Sequence, residues 1–599
     1  MSGIFVNSNA KPDSSVLAKS EISSFSNSQD LSNKKKGGKL NLKRRMGMAD
    51  KSFDVVIVGG GNKALIAAMY LTKYAKLEVG IFEERHELGG GWCQEEPAGG
   101  FIGNVCSTAM YAPYHTTTFW DFPEWEDYGV KLEYTKCSIG AAFSEDDTCL
   151  IQYTAFDDVD PDQEKTAAEI ARYSQKDADT YLKLWKNMKT KWEPYLLELC
   201  FNPAASPGQP DALDRLLQLP DSGLDPSWFF MSPIQMNKVL WEDNHVRHAF
   251  QRNIQSWGFE GDQAGSGFMA NIFATLLFSP LSCWIKGSTH VKAHASQKII
   301  LENGGRGYTN SPVERVLIKN GRAVGIKLED GTEIEARKAV LTDVDPDQLC
   351  NKLIGKDHLS ADLLRRVDAI ERDYVCIMWY TWALKERPKY KAEAWNPDCW
   401  QTQWLALGDM DVETFRTEGC ERRNGVWPSK LNIGIAYHGV SETSPGDSLL
   451  APPDINFTIL TEQFALPAWR LSEAEWKQKE TEHAEAVVKK MHEYAPNVSW
   501  DIIGGYIPIT PYYTAHQCRN FAPTGNWNII DNIPSQSGRF RPIPELARHK
   551  VPGIEGLYCT GAGWHPFGGA HSMQGYNCYK VMAADLHLPK PWDVDGRPF

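Results

Sequence analysis

The chain has 599 residues, a formal charge of −13 and 13 cysteines, a length that exceeds one hydrophobic core and predicts two domains. Residues 1–52 carry ten Lys/Arg against four Asp/Glu, a net +6 that leaves −19 on the remainder, and so acidic a body excludes nucleic acid as a partner. The cysteines form no C-x-x-C pair and no Cys/His cluster at zinc spacing, which excludes a disulfide framework and a metal site and fits a cytoplasmic or organellar compartment, not a secreted protein.

Residues 1–52 are rich in Ser, Asn and Lys, with basic runs at 34–39 and 43–45, and are expected to form a disordered basic tail. Three readings stay open: a transit peptide, a basic membrane-surface or nuclear tether, and a leader ahead of an internal start at Met46 or Met48. Lysine in place of arginine weighs against the first.

Phe53 to Val58 reads as a buried parallel strand and Ala64 to Leu71 as the helix packed on it. Gly59, Gly60, Gly61, Asn62 and Lys63 join them. Gly59 permits the sharp turn, Gly61 lets a pyrophosphate approach the main chain, and the small Ala64 lets helix and strand pack closely. The helix N–H groups and dipole then face the phosphates. A second strand, Glu78 to Phe82, ends at Glu83, 24 residues after Gly59, where a carboxylate accepts ribose hydroxyls. Strand, glycine turn, helix and acid together mark a dinucleotide-binding unit.

A second glycine turn follows in Arg85 to Trp92. Residues 116–290 are helical and aromatic-rich, as in Asp177 to Leu199 and Trp228 to Met231. The uncharged run Gln263 to Ile285 is interrupted by Asn271, Ser279, Pro280 and Ser282. It predicts a buried helix lining a cavity, with a membrane span or a peripheral membrane patch as the alternative. Val313 to Ile318 and Ala323 to Leu328 form a hairpin through Lys319 to Arg322, Asp330-Gly331 turns again, and Lys338 to Thr342 is a strand that stops at Asp345-Pro346. Residues 351–545 hold strand-like pieces and a helix opened by the capping box at Ser472 and Glu475, running to about Tyr494. Many of the 21 tryptophans fall in these insertions, as core or as the lining for an apolar substrate. Gly556 to Asn577 reads as strand, glycine loop and helix. The order predicts an α/β protein: a discontinuous Rossmann-like domain from 53–115, 291–350 and 546–599, with an inserted α+β substrate-binding domain from 116–290 and 351–545.

Four blocks carry a resemblance: Val56 to Ala68 with Glu83; Arg85 to Gly91 with Pro97 to Phe101 and Cys106-Ser107; Pro312 to Pro346; and Arg541-Pro542 with Gly556 to Asn577. In this order they resemble the phytoene desaturase-like flavoproteins, which include carotenoid desaturases and isomerases, retinol saturase and the pyridine nucleotide-disulfide oxidoreductase domain 2 proteins. The resemblance implies a glutathione reductase-type, amine oxidase-like FAD-binding domain. Gly59, Gly61 and Ala64 would then hold the pyrophosphate and Glu83 the adenosine ribose. Gly89 and Gly90 would lie beside the ribityl chain, the Val313 backbone at the adenine, and Gly561 and Met573 at the ribityl and flavin ends. Asn62, Lys63, Glu84, Arg85, Gly91 and Trp92 complete the implied cofactor contacts. The group usually shows His-Asn-Gly where this chain has Asn62-Lys63-Ala64, so Lys63 adds a charge near the phosphates. A mean hydropathy of −0.41 suits a smaller or more polar substrate than a long polyene.

The implied activity is hydride transfer between flavin N5 and a substrate carbon, giving desaturation, saturation or isomerisation of an apolar or conjugated molecule. No catalytic residue is assigned; His565, His571 and Tyr576 are candidates to move a proton and Arg541 to neutralise charge, each with a structural alternative. No second fingerprint for NAD(P)H is present, so oxygen, a quinone or a partner protein could accept the electrons. An amine oxidase is the enzymatic alternative, favoured by a substrate cage beside the flavin. A prenyl-binding protein of the Rab GDP-dissociation inhibitor type is the other, and it requires a damaged cofactor site. The expected partner is a small apolar or aromatic substrate, with a homodimer as the default assembly.

Overall fold

The computed structural model describes residues 51–104, 107, 110–437, 450–451, 457–518, 524–569 and 571–599. The expected tail up to residue 50, with Met46 and Met48, and Cys106 of the second block lie outside the described residues.

Strand β1, Ser52–Val58, leads through the glycine turn into helix α1, Asn62–Lys73, and β2, Val79–Phe82. The chain then leaves for β3, Cys137–Ala142, and β4, Cys149–Tyr153, and for a helical region that includes α2, Asn244–Ser256. Helix α3, His290–Glu302, brings it back to β5, Arg306–Tyr308, β6, Val313–Lys319, β7, Arg322–Leu328, and β8, Glu333–Asp343. It departs again for β9, Ile377–Leu384, β10, Thr402–Leu407, β11, Ile433–Tyr437, β12, Phe457–Phe464, helix α4, Glu473–Tyr494, and β13, Ile503–Ile509. Strand β14, Leu557–Thr560, and helix α5, Met573–Leu586, complete the first layer.

Two seven-stranded sheets result. The first runs β5-β2-β1-β8-β7-β6, with β14 also paired to β8; β5, β2, β1, β8 and β14 are mutually parallel. Strands β2 and β14, most of β1 and Ala339 to Thr342 of β8 are buried, as their continuous apolar runs require, whereas the edge strand β5 is largely exposed. Strand β8 begins at Glu333, five residues before the expected Lys338, because its first half pairs with β7 as a half-buried hairpin edge. The second sheet runs β13-β9-β12-β11-β10-β3-β4. One of its faces sends Tyr380, Trp382, Ile435 and Ile459 against Trp476, Val487 and Met491 of α4. Alternation puts Trp379, Trp404, Leu460 and Glu462 on the other face.

Helix α4 begins as the capping box predicts: Ser472 Oγ accepts from the Glu475 N–H, and Glu475 accepts from the Ser472 N–H at 2.7 Å. The run 263–285 departs from expectation. It is a wide-turned helix only over Met269–Phe278; Pro280, with no N–H to donate, ends it, and Ser282–Ile285 is a strand. Ala270 to Phe278 are all buried, yet none of them lines either large cavity described below. Among the described residues, no helix is long and apolar enough to cross a membrane.

Candidate functional site

The carboxyl ends of β1, β8 and β14 meet at one edge of the first sheet, where an α/β fold places its ligand crevice. A cleft lies there. Gly59 has φ +85°, and a Cβ on it would sit 2.7 Å from the Asp343 carbonyl oxygen; a Cβ on Gly61 would sit 2.5 Å from Asp343 Oδ2. A side chain at either position would collide with Asp343 on β8.

Of the residues expected to touch a cofactor, Gly61, Asn62, Lys63, Glu83, Gly90, Gly91 and Gly561 line this cleft. Gly59 and Ala64 flank it in the turn, and Gly89 is fixed to it by its N–H to Gly60 O at 2.8 Å. The others stand further off. Glu84 is exposed, Arg85 faces Glu87 at 3.6 Å, Trp92 is buried beneath His115 and Trp125, and Val313 and Met573 open β6 and α5 outside the lining. Glu83 accepts from Gly60 N at 2.7 Å through Oε2 and from Arg85 N at 2.8 Å through Oε1. A carboxylate has about four lone-pair sites, so it retains capacity for ribose hydroxyls.

Asp343, at the end of β8, was not expected in the site. Its Oδ2 accepts from Ala64 N at 2.9 Å, so a carboxylate caps the N-terminus of α1. Lys63 acts on it electrostatically, without an ion pair within 4.0 Å among the described residues. The ammonium is buried, donates to Asn62 Oδ1 at 2.9 Å, and has its pKa lowered by burial to about 8, against the pull of Asp343. Burial raises the Asp343 pKa and Lys63 opposes that shift. Asn62 Nδ2 is a buried donor with no partner among the described residues, aligned with a site that takes an acceptor-rich group.

The four candidate proton or charge carriers separate in space. Both ring nitrogens of His565 meet backbone carbonyls, Gly538 at 2.8 Å and Asn202 at 2.9 Å. His571 contacts Gly568 O through Nε2 at 2.9 Å and lies between Tyr114 and Phe567; its Nδ1 has no partner among the described residues, and burial lowers its pKa well below the usual range. Tyr576 packs on Tyr70 and Trp592, with its hydroxyl 3.4 Å from Arg597, which grips Asp121 with two bonds of 2.5 and 2.9 Å. Among the described residues, Arg541 forms no ion pair and does not line the cleft. Its guanidinium donates to the carbonyls of Asn528 at 2.8 Å, Gln536 at 3.0 Å and Ala562 at 2.7 Å, and so pins the 526–541 loop to the glycine loop after β14.

Trp527 and Gly569 line the cleft and also a second cavity. Its walls include Tyr111, Tyr114, Trp257, Trp379, Trp404 and Trp527. Tyr114 is held at the junction by Ser572, whose hydroxyl donates to the Tyr114 carbonyl at 2.8 Å. Among the described lining residues, the one carboxylate is Glu462. Arg252 donates to it at 3.0 Å and Ser256 at 2.7 Å; burial raises its pKa, and Arg252 and Ser256 pull it down. Sequence reasoning missed this acid, although a single charge inside the otherwise uncharged strand Phe457–Phe464 was a signal.

Residues 57–128 match the model of an NAD(P)-binding Rossmann-like domain. The chain is 23% identical over 560 residues to one of the subunits of the limonene dehydrogenase of Castellaniella defragrans, covering 90% of this chain and 96% of that one. It is 23% identical to pyridine nucleotide-disulfide oxidoreductase domain-containing protein 2 of Mus musculus, covering 90% and 95%. It is 24% identical to the neurosporene-forming phytoene desaturase of Rhodobacter capsulatus, covering 87% and 91%. Among solved structures, putrescine oxidase bound to putrescine superposes with a TM-score of 0.54 at 13% identity, over 90% of this chain and 99% of that one. Cyclohexylamine oxidase of Brevibacterium oxydans gives 0.51 at 12%, over 89% and 99%. The chain therefore has the fold of the amine oxidase-like oxidoreductases, and its resemblance to the phytoene desaturase-like group extends along nine-tenths of its length.

Proposed function

We propose that the protein is an FAD-dependent oxidoreductase, with the dinucleotide in the cleft at the ends of β1, β8 and β14 and the substrate in the aromatic chamber. The observation that carries this reading is the wall that the two cavities share, Trp527 and Gly569. The glycine cradle, the unpartnered Asn62 amide and the Glu83 carboxylate fit a pyrophosphate and its ribose. FAD is favoured over NAD(P) because Gly561 to Gly563, far from the 57–128 unit in sequence, also line the cleft, as the resemblance implies for a flavin site. When bound, FAD supplies the hydride acceptor or donor. The chain's own residues then orient the substrate between aromatic faces and keep water from it. A chamber walled by aromatic rings suits a compact unsaturated molecule, and C–C desaturation, saturation or isomerisation is the reaction class. That one relative is a limonene dehydrogenase and another a phytoene desaturase supports an alkene-type substrate.

The aromatic walls also meet the condition set for an amine oxidase, and two neighbours in fold oxidise amines by name. This second reading is weaker, because Arg252 already neutralises the acid that would attract an ammonium.

Purified protein is expected to be yellow, with a flavin spectrum; protein that stays colourless and empty after FAD is added would overturn the proposal. Anaerobic mixing with polyenes, enones and amines, followed by flavin bleaching, separates the two readings, and bleaching by amines alone selects the second. Glu83→Ala should weaken FAD binding by about 1.5 to 3 kcal/mol, the range for a hydrogen bond to a charged group.

A further inference from the structure

The acid on the chamber wall has an unusual arrangement of partners. Glu462 on β12 stands in register with Trp379 on β9 and with Gly434 on β11. Arg252 reaches it from α2 and is buried: Nη2 donates to Glu462 Oε1 at 3.0 Å and to the Glu462 carbonyl at 3.2 Å, while Nη1 donates to Ser256 Oγ at 2.8 Å. Ser256 Oγ donates to the same Oε1 at 2.7 Å and accepts from Trp404 Nε1 at 2.5 Å. The guanidinium fits because residue 434 is glycine; a Cβ there would lie 2.8 Å from Nη2. The side-chain bonds to the carboxylate fall on Oε1, and Oε2 has no partner among the described residues.

Two consequences follow from this one-sided arrangement. Arg252 cancels the charge of Glu462, so the chamber offers an ammonium no unpaired carboxylate to repay its lost water. A carboxylate oxygen nevertheless remains a stronger acceptor than a neutral one, and hydrogen bonds to it are about twice as strong as neutral pairs. The other polar groups on the walls, the hydroxyls of Ser107, Tyr111 and Tyr114 and the amide of Asn528, are uncharged. Aromatic faces fix a flat body, and one strong acceptor fixes one donor on it.

We infer that the chamber selects a neutral, flat, unsaturated or aromatic molecule bearing a single hydroxyl, with Glu462 Oε2 accepting the hydrogen bond that the hydroxyl donates. This rests on the reading of the cavity as the substrate chamber. Glu462 is here a specificity residue, and no proton leaves the substrate to it.

The test is calorimetric titration of the full-length protein as purified with cinnamyl alcohol, its methyl ether, and cinnamylamine. The wild type should bind the alcohol at least tenfold more tightly than the ether or the amine. In Glu462→Gln, Arg252 and Ser256 hold the amide carbonyl, so the NH2 faces the chamber as a donor, and the alcohol's advantage over the ether should fall below threefold. Equal binding of alcohol and ether by the wild type, tightest binding of the amine, an undiminished advantage in the folded variant, or no heat with any probe would each overturn the inference. If Glu462→Gln does not fold, as judged by circular dichroism, the wild-type ranking decides by itself. A flavin spectrum on the same sample separates the two readings. A colourless protein that keeps the alcohol preference removes the cofactor and leaves the chamber, whereas a yellow protein without the preference removes only the role of Glu462.

Discussion

Replacing Lys63 by Met isolates the charge balance of the cradle. Lys63 is buried beside Asp343, which holds the first free N–H groups of α1, and Glu83 adds a second carboxylate nearby. Without the ammonium, a pyrophosphate must bind against Asp343 with no offsetting cation. Two unit charges more than about 4 Å apart interact by less than about 4 kcal/mol at an effective dielectric of about 20 and by less than about 1 in water. The cleft opens to water on one side, which places the loss near 2 kcal/mol, or about 30-fold in FAD affinity. The double variant Lys63→Met/Asp343→Asn removes cation and anion together and leaves an amide oxygen for the Ala64 N–H; its affinity should return to within about threefold of wild type. Titration of apoprotein with FAD, followed by flavin fluorescence, measures each constant, and urea denaturation confirms folding. An unchanged affinity in Lys63→Met, or a loss that the second substitution does not reverse, would refute the pairing.

Arg541→Met should cost about 3 to 5 kcal/mol in chemical denaturation, since three buried carbonyls lose their donor at once; unchanged stability would show that the cage is not structural. Tyr576→Phe should leave turnover and the flavin spectrum unaltered and shift stability by under about 1 kcal/mol, because its hydroxyl faces Arg597; a tenfold loss of turnover would return it to the chemistry. Burial lowers the Lys292 pKa from 10.5 to about 7. Between these values the unfolded chain binds the proton and the folded one does not, so this group's contribution to stability rises with pH from about 7 toward 10.5 and is lost below 7. Denaturation midpoints at pH 6.5, 7.5 and 8.5 should rise more steeply in wild type than in Lys292→Met, since Lys63 adds the same slope above about 8 to both; parallel curves would remove Lys292 as a source.

The Rossmann half was legible because its signals are local. Glycines at 59 and 61, a continuous apolar strand, an apolar helix and an acid at a fixed spacing all lie within 31 residues. Asp343 escaped because an aspartate after a strand reads as a turn residue until β8 is set beside β1. The chamber was less legible still. Trp379 and Trp382 lie three residues apart on one strand, and only the sheet's alternation sends the first into the cavity and the second into the core against α4. Arg252 and Glu462 meet across 210 residues, a pairing that no window of sequence contains. Arg541 was legible as important, but its carbonyl cage depends on how the 526–541 loop folds around it.

Strand β8 pairs with β1 across some 280 residues and with β14 across some 217, so the first sheet is a structure of distant contacts. Such topologies fold slowly, because loop closure precedes the reward of pairing. The cleft is completed by β14 and the loop before α5, which also packs on α1, with Gly575 closing on the Lys63 carbonyl. During synthesis the dinucleotide turn near residue 60 therefore waits for roughly 500 further residues before its far wall exists, and throughout that wait its apolar strand edges need shelter. On the proposed function, cofactor capture would follow completion of the sheet, and the bound dinucleotide would act as the lock on distant segments that have found each other.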